Sequence, residues 1–322
     1  MSNKVSIIMP AYNASAYIAE AIQSVLNQTW TNWELIIVDD GSTDDTLQIA
    51  QSFARKDSRI QVYHQHNQGG CAARNEALKH ITGNYVQYLD ADDVLHADKL
   101  SLQMAIYNQP DETDGLLVFS KCYRLHSTGE LSPASMSWLY HDYMNPVDLL
   151  IATWNARGNA IQYSSYLIPK NIVDKVGLWN INLTRSQDCE YMARVLSNAL
   201  HLCYVDTAVY YYRIVTGSVS NKPLSLRQIE SECDVADVVS SIILARVKTK
   251  EAIRACSVHY TDLLTAYYPK NKLFINRILS QMKIYNLPFN FENRGRLFHM
   301  LKNIFGWRVA VRIINLKNII RL

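Results

Sequence analysis

The segment Tyr85-Val-Gln-Tyr-Leu-Asp90-Ala-Asp92-Asp93 constrains the chain most, because an apolar run stops there abruptly in three carboxylates. Val86, Tyr88 and Leu89 suit a buried strand. Acids at the end of such a strand lie at the rim of a sheet, the edge where open α/β folds bind ligands. Asp90 and Asp92 are two residues apart, so on an extended backbone both side chains point the same way and can share one divalent cation or one sugar-phosphate. An acidic turn is the plainer alternative, since Asp is a favoured turn residue, and the triplet alone does not decide between them.

The pattern recurs upstream. Val5-Ser-Ile-Ile-Met9, closed by Pro10, reads as a first buried strand ending at a loop. Ile18, Ala21, Ile22, Val25 and Leu26 follow helical spacing and give that helix one face for the sheet. Leu35-Ile-Ile-Val38 is a second strand, and it too ends in acid, at Asp39-Asp40-Gly41-Ser42-Thr43-Asp44. Ser42 followed by Asp45 resembles a capping box for a second helix, with Leu47, Ala50, Phe53 and Ala54 inside. A third strand, about Ile60 to Tyr63, leads into Asn67-Gln-Gly-Gly-Cys-Ala-Ala-Arg74-Asn75. Paired glycines ahead of a helix that starts with small residues let backbone approach a phosphate, and Arg74 adds a forked donor. Strand, acidic or glycine loop, helix, repeated, is a right-handed parallel βαβ sheet with its loops on one edge.

Leu116 to Ser120 reads as a further strand. The stretch from Trp138 to Tyr166 holds Trp138, Tyr140, Tyr143, Trp154, Tyr163 and Tyr166. Such rings serve as a platform for the C–H faces of a sugar or, more often, as plain core. Lys175-Val-Gly177 reads as a helix end with a glycine cap. Asp188, in Arg185-Ser-Gln-Asp188-Cys-Glu190, falls at a helix N-terminus, where the dipole favours its ionised form. Val209-Tyr-Tyr-Tyr212-Arg213 is a strand that leads to Gly217-Ser218-Val-Ser220. Beyond Pro223 the texture changes to long helices, with Ile229 to Val247 and Ala252 to Tyr268 as candidates. The expected division is therefore a domain over 1–222 and a helical region over 223–322.

Charge is unevenly spread. Of the net +3, the residues after Glu292 carry +7 with no acid among them, so the first 292 residues carry −4. In that tail Val309, Ile313, Leu316 and Ile320 align on one helical stripe, with Arg308, Arg312 and Asn315 roughly opposite. A basic amphipathic tail, with Phe305 and Trp307 beside it, is expected to meet an anionic membrane surface peripherally. Nucleic acid fits less well, since the body is acidic and carries no nucleic-acid motif. The six cysteines show no Cys-x-x-Cys pair or zinc-like spacing and read as reduced thiols. No signal-peptide h-region follows Met1, and no run reaches the roughly 18 apolar residues of a membrane span, so a cytoplasmic protein is expected.

Pro10-Ala-Tyr-Asn13, Val38-Asp-Asp-Gly-Ser-Thr-Asp44, Ala73-Arg-Asn75, Asp90-Ala-Asp92-Asp93, Asp188 and Tyr212-Arg213 together resemble the family-2 glycosyltransferases, over about residues 4 to 220. That resemblance implies a GT-A fold, α/β with a mostly parallel sheet flanked by helices, here with an α-helical C-terminal appendage. It implies inverting transfer of a sugar from a nucleotide-diphospho-sugar to a hydroxyl of a glycan or lipid-linked glycan in cell-surface polysaccharide synthesis. Position by position, Pro10, Ala11 and Tyr12 would line the base and ribose, and Asp40 would accept a hydrogen bond from the base, uracil being expected. Arg74 would lie near ribose and phosphates. Asp90, Ala91 and Asp92 would form the Asp-x-Asp motif at the donor, with Asp92 the direct ligand of Mn²⁺ or Mg²⁺ and Asp90 nearer the ribose. Asp188 would be the catalytic base.

Two positions depart from the family pattern. Gln187 stands where relatives carry Glu, and Val215 where many carry a His near the metal or diphosphate, so waters or donor phosphates are expected to complete the shell. Both departures motivate the competing reading, a non-catalytic nucleotide-sugar-binding or scaffold protein. A dinucleotide oxidoreductase is disfavoured, because Pro10-Ala-Tyr-Asn13 replaces the Gly-x-Gly-x-x-Gly turn. Asp44 and Asp45 read as capping residues, Cys71 as a small loop residue, His64 and His66 as surface residues, and Glu190 as the reserve candidate for the base.

Overall fold

The computed structural model describes residues 3–109, 114–134, 136–156, 162–215, 225–269, 271–292 and 294–320, with side chains to 315 in the last segment. Two compact units are present, Met1–Leu150 with Asn159–Pro223 and Ile151–Gly158 with Leu224–Leu322.

The first unit opens with the alternation expected from its apolar runs: β1 (Val5–Ala11), α1 (Ile18–Leu26), β2 (Trp33–Asp39), α2 (Thr46–Ala54), β3 (Ile60–His64), α3 (Gly70–Leu78) and β4 (Tyr85–Tyr88). After the acids come β5 (Val94–Leu95), α4 (Lys99–Tyr107), β6 (Leu116–Leu125), β7 (Leu131–Pro133), α5 (Val147–Asn155), which crosses into the second unit, β8 (Tyr166–Pro169), α6 (Lys170–Val176), α7 (Gln187–Asn198) and β9 (His201–Arg213). One sheet runs in the order β3-β2-β1-β4-β8-β6-β9-β5, with β7 on β6. It is parallel through β3-β2-β1-β4 and again between β6 and β9. The shorter pairings, β4 with β8, β8 with β6, β6 with β7 and β9 with β5, are antiparallel. Ile7, Met9, Leu35 and Ile37 of the strands pack with Ile18, Ile22 and Val25 of α1 in one core.

The entry of β4 is pinned to β1, and this sets where the acids emerge. Buried Glu34 accepts from Lys4 Nζ (2.6 Å), Ser6 Oγ (2.6 Å) and the Thr82 amide (2.5 Å). Burial opposes its charge, yet these donors hold its carboxyl below the usual range. Ser6 Oγ in turn accepts from the Gly83 amide at 2.9 Å. No side chain fits at Gly83, because an added Cβ would stand 2.6 Å from the Lys4 carbonyl and from Ser6 Oγ.

Local punctuation departs from expectation at α2. Its N-cap is Asp45 with no side-chain cap, so the Ser42–Asp45 capping box does not form. Asp44 does that work instead, its Oδ1 accepting from the Thr46 amide (3.0 Å) and hydroxyl (2.5 Å) and its Oδ2 from the Ser15 amide (3.1 Å). Burial alone would raise its pKa, but these bonds lower it to about 2. The glycine cap at Gly177 is present, with φ 75°. The loop Gly217–Ser220 and Pro223 lie outside the described residues.

The second unit holds α8 (Leu226–Arg246), α9 (Lys250–Tyr267), α10 (Lys272–Ile284), α11 (Arg296–Phe305) and α12 (Trp307–Ile320). Ser225 and Gln228 form a capping box at α8. Asp237 of α8 ties the first three helices together, accepting from Tyr260 Oη (2.6 Å) and Arg277 Nη2 (2.6 Å). Gly306, at φ 79°, separates the last two helices, and they share a small core of Phe291, Phe298, Leu301, Ala310 and Val311. No described helix is long and apolar enough to cross a membrane.

Gly83→Ala is expected to cost about 1–3 kcal/mol through overpacking against β1. Urea denaturation should show a lower midpoint at unchanged slope.

Candidate active site

The C-terminal ends of β1, β2 and β4 and the N-terminus of α3 surround an open cleft of about 290 Å³, lined by Pro10, Ala11, Tyr12, Asp40, Gly70, Arg74, Asp90, Ala91, Asp92 and Val215, with Asn13, Ala14 and Tyr17 beside them. All eight donor-site residues expected from the sequence are therefore brought together. Tyr12 is half exposed and free to stack against a flat ring.

The three acids divide their work. Asp90, Asp92 and Asp93 offer oxygens within 4.8 Å of one another. Asp93 is fully buried, accepts from Tyr210 Oη and takes the Arg213 amide on Oδ1 at 2.8 Å. Burial, then Asp90 and Asp92, push its pKa well up, so it ties the acid loop to β9. Arg213 adds a second clamp, donating Nε to the Asp92 carbonyl (2.7 Å) and Nη2 to Glu20 (2.6 Å). Asp90 accepts from Arg74 Nη2 at 2.8 Å on Oδ1 and from Tyr163 Oη on Oδ2. Among the described residues the Asp92 carboxyl accepts from its own backbone amide, and burial plus the Asp90 charge outweigh that bond and the Arg213 charge and raise it to about 6. Hard oxygen donors of this kind suit Mg²⁺, Ca²⁺ or Mn²⁺, and Asp92 is the oxygen source with coordination capacity to spare.

Arg74 sits on the second turn of α3, nearly buried. Its guanidinium lies over the rings of Trp179 (4.7 Å) and Tyr163 (5.0 Å), and its Nη2 donates to Tyr163 Oη at 2.5 Å as well as to Asp90. Burial opposes its charge, but Tyr163 and Asp90 outweigh that and raise its pKa. Tyr88 and Tyr191 complete the aromatic wall, with Trp179 stacked on Tyr191 at 4.0 Å. Sequence reasoning missed Tyr163 as a site residue. It lies 73 positions from Asp90, and its only signal was membership of an aromatic stretch. The rest of that stretch divides as packing dictates: Tyr143, Trp154 and Tyr166 are core, and Trp138 is exposed.

The Tyr163–Ser165 turn is held from behind. Lys99, fully buried, donates to Gln87 (2.6 Å) and Gln103 (2.7 Å), and these amides donate to the carbonyls of Ser164 (2.8 Å) and Ser165 (2.9 Å). Burial pulls the lysine's pKa well down.

Asp40 lines the cleft, yet its carboxylate anchors the glycine loop. It accepts from Gln65 Nε2 (2.6 Å) and from the amides of Gln68 (2.9 Å) and Gly69 (2.8 Å). His64 is half exposed and pairs with Asp39 at 2.8 Å. Cys71 is buried, and burial raises its thiol, as suits an inert residue.

Asp188 is the second residue of α7, half-buried, behind Ser186 in a left-handed conformation. The helix dipole was expected to favour its charge. The amides of Asp188 and Cys189 and the Arg74 charge do act that way, but burial outweighs them and the pKa is raised. Asp188 is within electrostatic reach of Arg74 and Asp90, but it is not among the residues that line the cleft. Glu190, the reserve candidate, is buried in a two-point pair with Arg194 (2.7 and 2.8 Å).

Two outcomes follow from this geometry. Tyr163→Phe leaves Asp90 and Arg74 each short of a partner, and should weaken Mn²⁺-dependent UDP binding in calorimetry by roughly tenfold. Asp92→Asn should raise the melting temperature of the metal-free protein at pH 8 by the equivalent of roughly 2 kcal/mol. The folded carboxyl holds its proton to about pH 6 and the unfolded one only to about pH 4, so wild-type stability falls as pH rises through that window. The advantage of the variant should accordingly vanish at pH 4, and Mn²⁺ should stabilise wild type but not the variant.

The model of glycosyl transferase family 2 matches residues 6–144. Among curated proteins, the glycosyltransferase GlyG of Streptococcus pneumoniae is 26% identical over 283 residues, 83% of this chain and 88% of that protein. TuaG of Bacillus subtilis, described as a putative teichuronic acid biosynthesis glycosyltransferase, is 48% identical over 101 residues, 31% of this chain and 40% of its own. An uncharacterised glycosyltransferase of Rickettsia conorii is 33% identical over 172 residues, 52% of this chain, and the chain spans only 28% of that longer protein. Residues 1–349 of S. aureus TarS, solved in complex with UDP-GlcNAc, superpose with a TM-score of 0.71 at 19% identity, covering 98% of this chain and 92% of that one. At that identity the likeness speaks for the fold, which is GT-A. The match to glycosyl transferase family 2 therefore spans residues 6–144, which carry the ends of β1, β2 and β4 and the start of α3 that build most of the cleft.

Proposed function

We propose that residues 1–222 form a catalytic domain that transfers a sugar, with inversion, from a UDP-sugar to a hydroxyl of a glycan or lipid-linked glycan in cell-surface polysaccharide synthesis, and that 223–322 is a helical appendage. The reading places the chain in the cytoplasm, at the inner face of the plasma membrane. One observation carries it: Asp92, Asp90 and Arg74 line one cleft at the strand ends together with Pro10, Ala11, Tyr12 and Asp40, and Asp188, its pKa raised by burial, lies within electrostatic reach of Arg74 and Asp90. The UDP-GlcNAc bound by TarS and the polysaccharide named for TuaG support the donor and product classes.

In this mechanism Pro10, Ala11 and Tyr12 bed the base and ribose. Asp40 keeps the Gln65–Gly69 loop under the nucleotide, with one oxygen still able to accept from the base. Asp92, with Asp90 beside it, would hold a Mn²⁺ or Mg²⁺ ion, which would supply neutralising charge for the departing diphosphate. Arg74 adds fixed positive charge that Asp90 and Tyr163 keep in place. Asp188 takes the proton of the acceptor hydroxyl as that oxygen attacks the anomeric carbon from the face opposite the diphosphate. Its raised pKa makes it a stronger base than an exposed aspartate.

Asp188→Asn is expected to lower transfer by roughly 10²–10⁴-fold while UDP affinity in Mn²⁺ is unchanged. The acid limb of kcat/KM should lie above the ordinary aspartate range, because the base must lose its proton before it can act. Unimpaired transfer by the variant would remove Asp188 from the mechanism. Gln187 and Val215 favour the second reading, a non-catalytic nucleotide-sugar-binding or scaffold protein. Mn²⁺-dependent UDP binding with no turnover across a donor and acceptor panel would select it.

A further inference from the structure

The apolar side of α11 is wider than the core beneath it. Phe298 and Leu301 are buried, but Met300 (52%), Ile304 (63%) and Phe305 (57%) are exposed, with Leu297 beside them. At 3.6 residues per turn, Leu297, Met300 and Ile304 form one strip adjoining the buried pair. α12 repeats the arrangement. Ala310 and Val311 are buried, while Val309 and Ile313 face outward. Leu316 and Ile320, which continue that stripe in the sequence, have side chains outside the described residues.

Positive charge borders these strips. Arg296, Arg308 and Arg312 are exposed, and with Lys302 they make no ion pair among the described residues. Two of them rest on rings, Arg308 on Trp307 (5.3 Å) and Arg312 on Tyr268 (5.5 Å). The chain contains no acidic residue after Glu292. Clustered exposed apolar side chains of this size mark an interaction surface. The charge selects its partner. A second copy brought against the same face would set Arg296, Arg308 and Arg312 against like charges, whereas an anionic bilayer offers apolar depth and complementary charge together.

We infer that α11 and α12 form a membrane-binding surface for anionic lipid, in which Met300, Ile304 and Phe305 enter the acyl boundary and Arg296, Arg308 and Arg312 reach the headgroups. This specifies the membrane contact placed above at the inner face. It is read without donor or turnover, so its failure leaves the sugar-transfer reading untouched.

The test is co-sedimentation of the full chain with vesicles of phosphatidylcholine alone, or with about a third phosphatidylglycerol. Binding should be at least roughly tenfold tighter on the anionic vesicles and should weaken as salt rises. The double variant Ile304→Glu, Phe305→Glu should be released at unchanged melting temperature. Arg308→Gln with Arg312→Gln should weaken binding and flatten its salt dependence. No binding to anionic vesicles, or binding that neither variant changes, overturns the inference. So does light scattering that shows a dimer which Ile304→Glu, Phe305→Glu dissolves, since the face would then belong to a second copy.

Discussion

Three carboxylates crowded at the end of one strand are electrostatically unfavourable, and the first unit is arranged around that fact. Each acid meets it differently. Asp93 is buried, which pushes its pKa well up, and it is fixed to β9 by Tyr210 and the Arg213 amide. Asp90 is balanced by Arg74 and bonded to Tyr163. Asp92 carries the strain, its carboxyl raised to about 6 with no side-chain hydrogen-bond donor among the described residues. A cation removes that cost, so the feature that destabilises the metal-free protein is the one that gives metal binding its driving force.

Positioning follows from backbone order. Parallel strands β1, β2 and β4 all end on one side, so Pro10, Asp40 and Asp90 reach the cleft without any side chain having to travel. The glycine loop completes it, because Gly69 and Gly70 let the start of α3 come under Asp40 and set Arg74 one turn later. Behind this front, Lys99 and two glutamines hold the Tyr163 turn from within the core. A lysine there costs desolvation. What it secures is a rigid mount for the hydroxyl that joins Arg74 to Asp90.

Much of this was legible in the sequence because apolar runs ending in acid are local signals. The strands before Asp90, the helix faces between them, the gathering of Pro10, Tyr12, Asp40, Arg74 and Asp92 in one cleft, and the position of Asp188 at a helix start all follow from spacing within short windows or from the family's motifs. What escaped was the choice of distant partners. Nothing near Asp40 shows that Gln65, Gln68 and Gly69 saturate most of its carboxylate, and nothing near Asp90 points to Tyr163. The capping box at Ser42 failed for a related reason: Asp44 reaches both Thr46 and Ser15, so it captures the helix start. At Asp188 the dipole has the expected sign, but burial is the larger effect and spacing does not reveal it.

The central claim is that one space holds the cation at Asp92 and the proton acceptor at Asp188, on either side of a bound diphosphate. Diffraction from crystals grown with Mn²⁺ and a UDP-sugar, at a wavelength where manganese scatters anomalously, tests it most directly. The account predicts a single manganese peak within coordination distance of an Asp92 oxygen, with the Asp188 carboxyl facing the anomeric carbon. A peak ligated by Asp93 instead, or an Asp188 that faces away from the sugar, would contradict it.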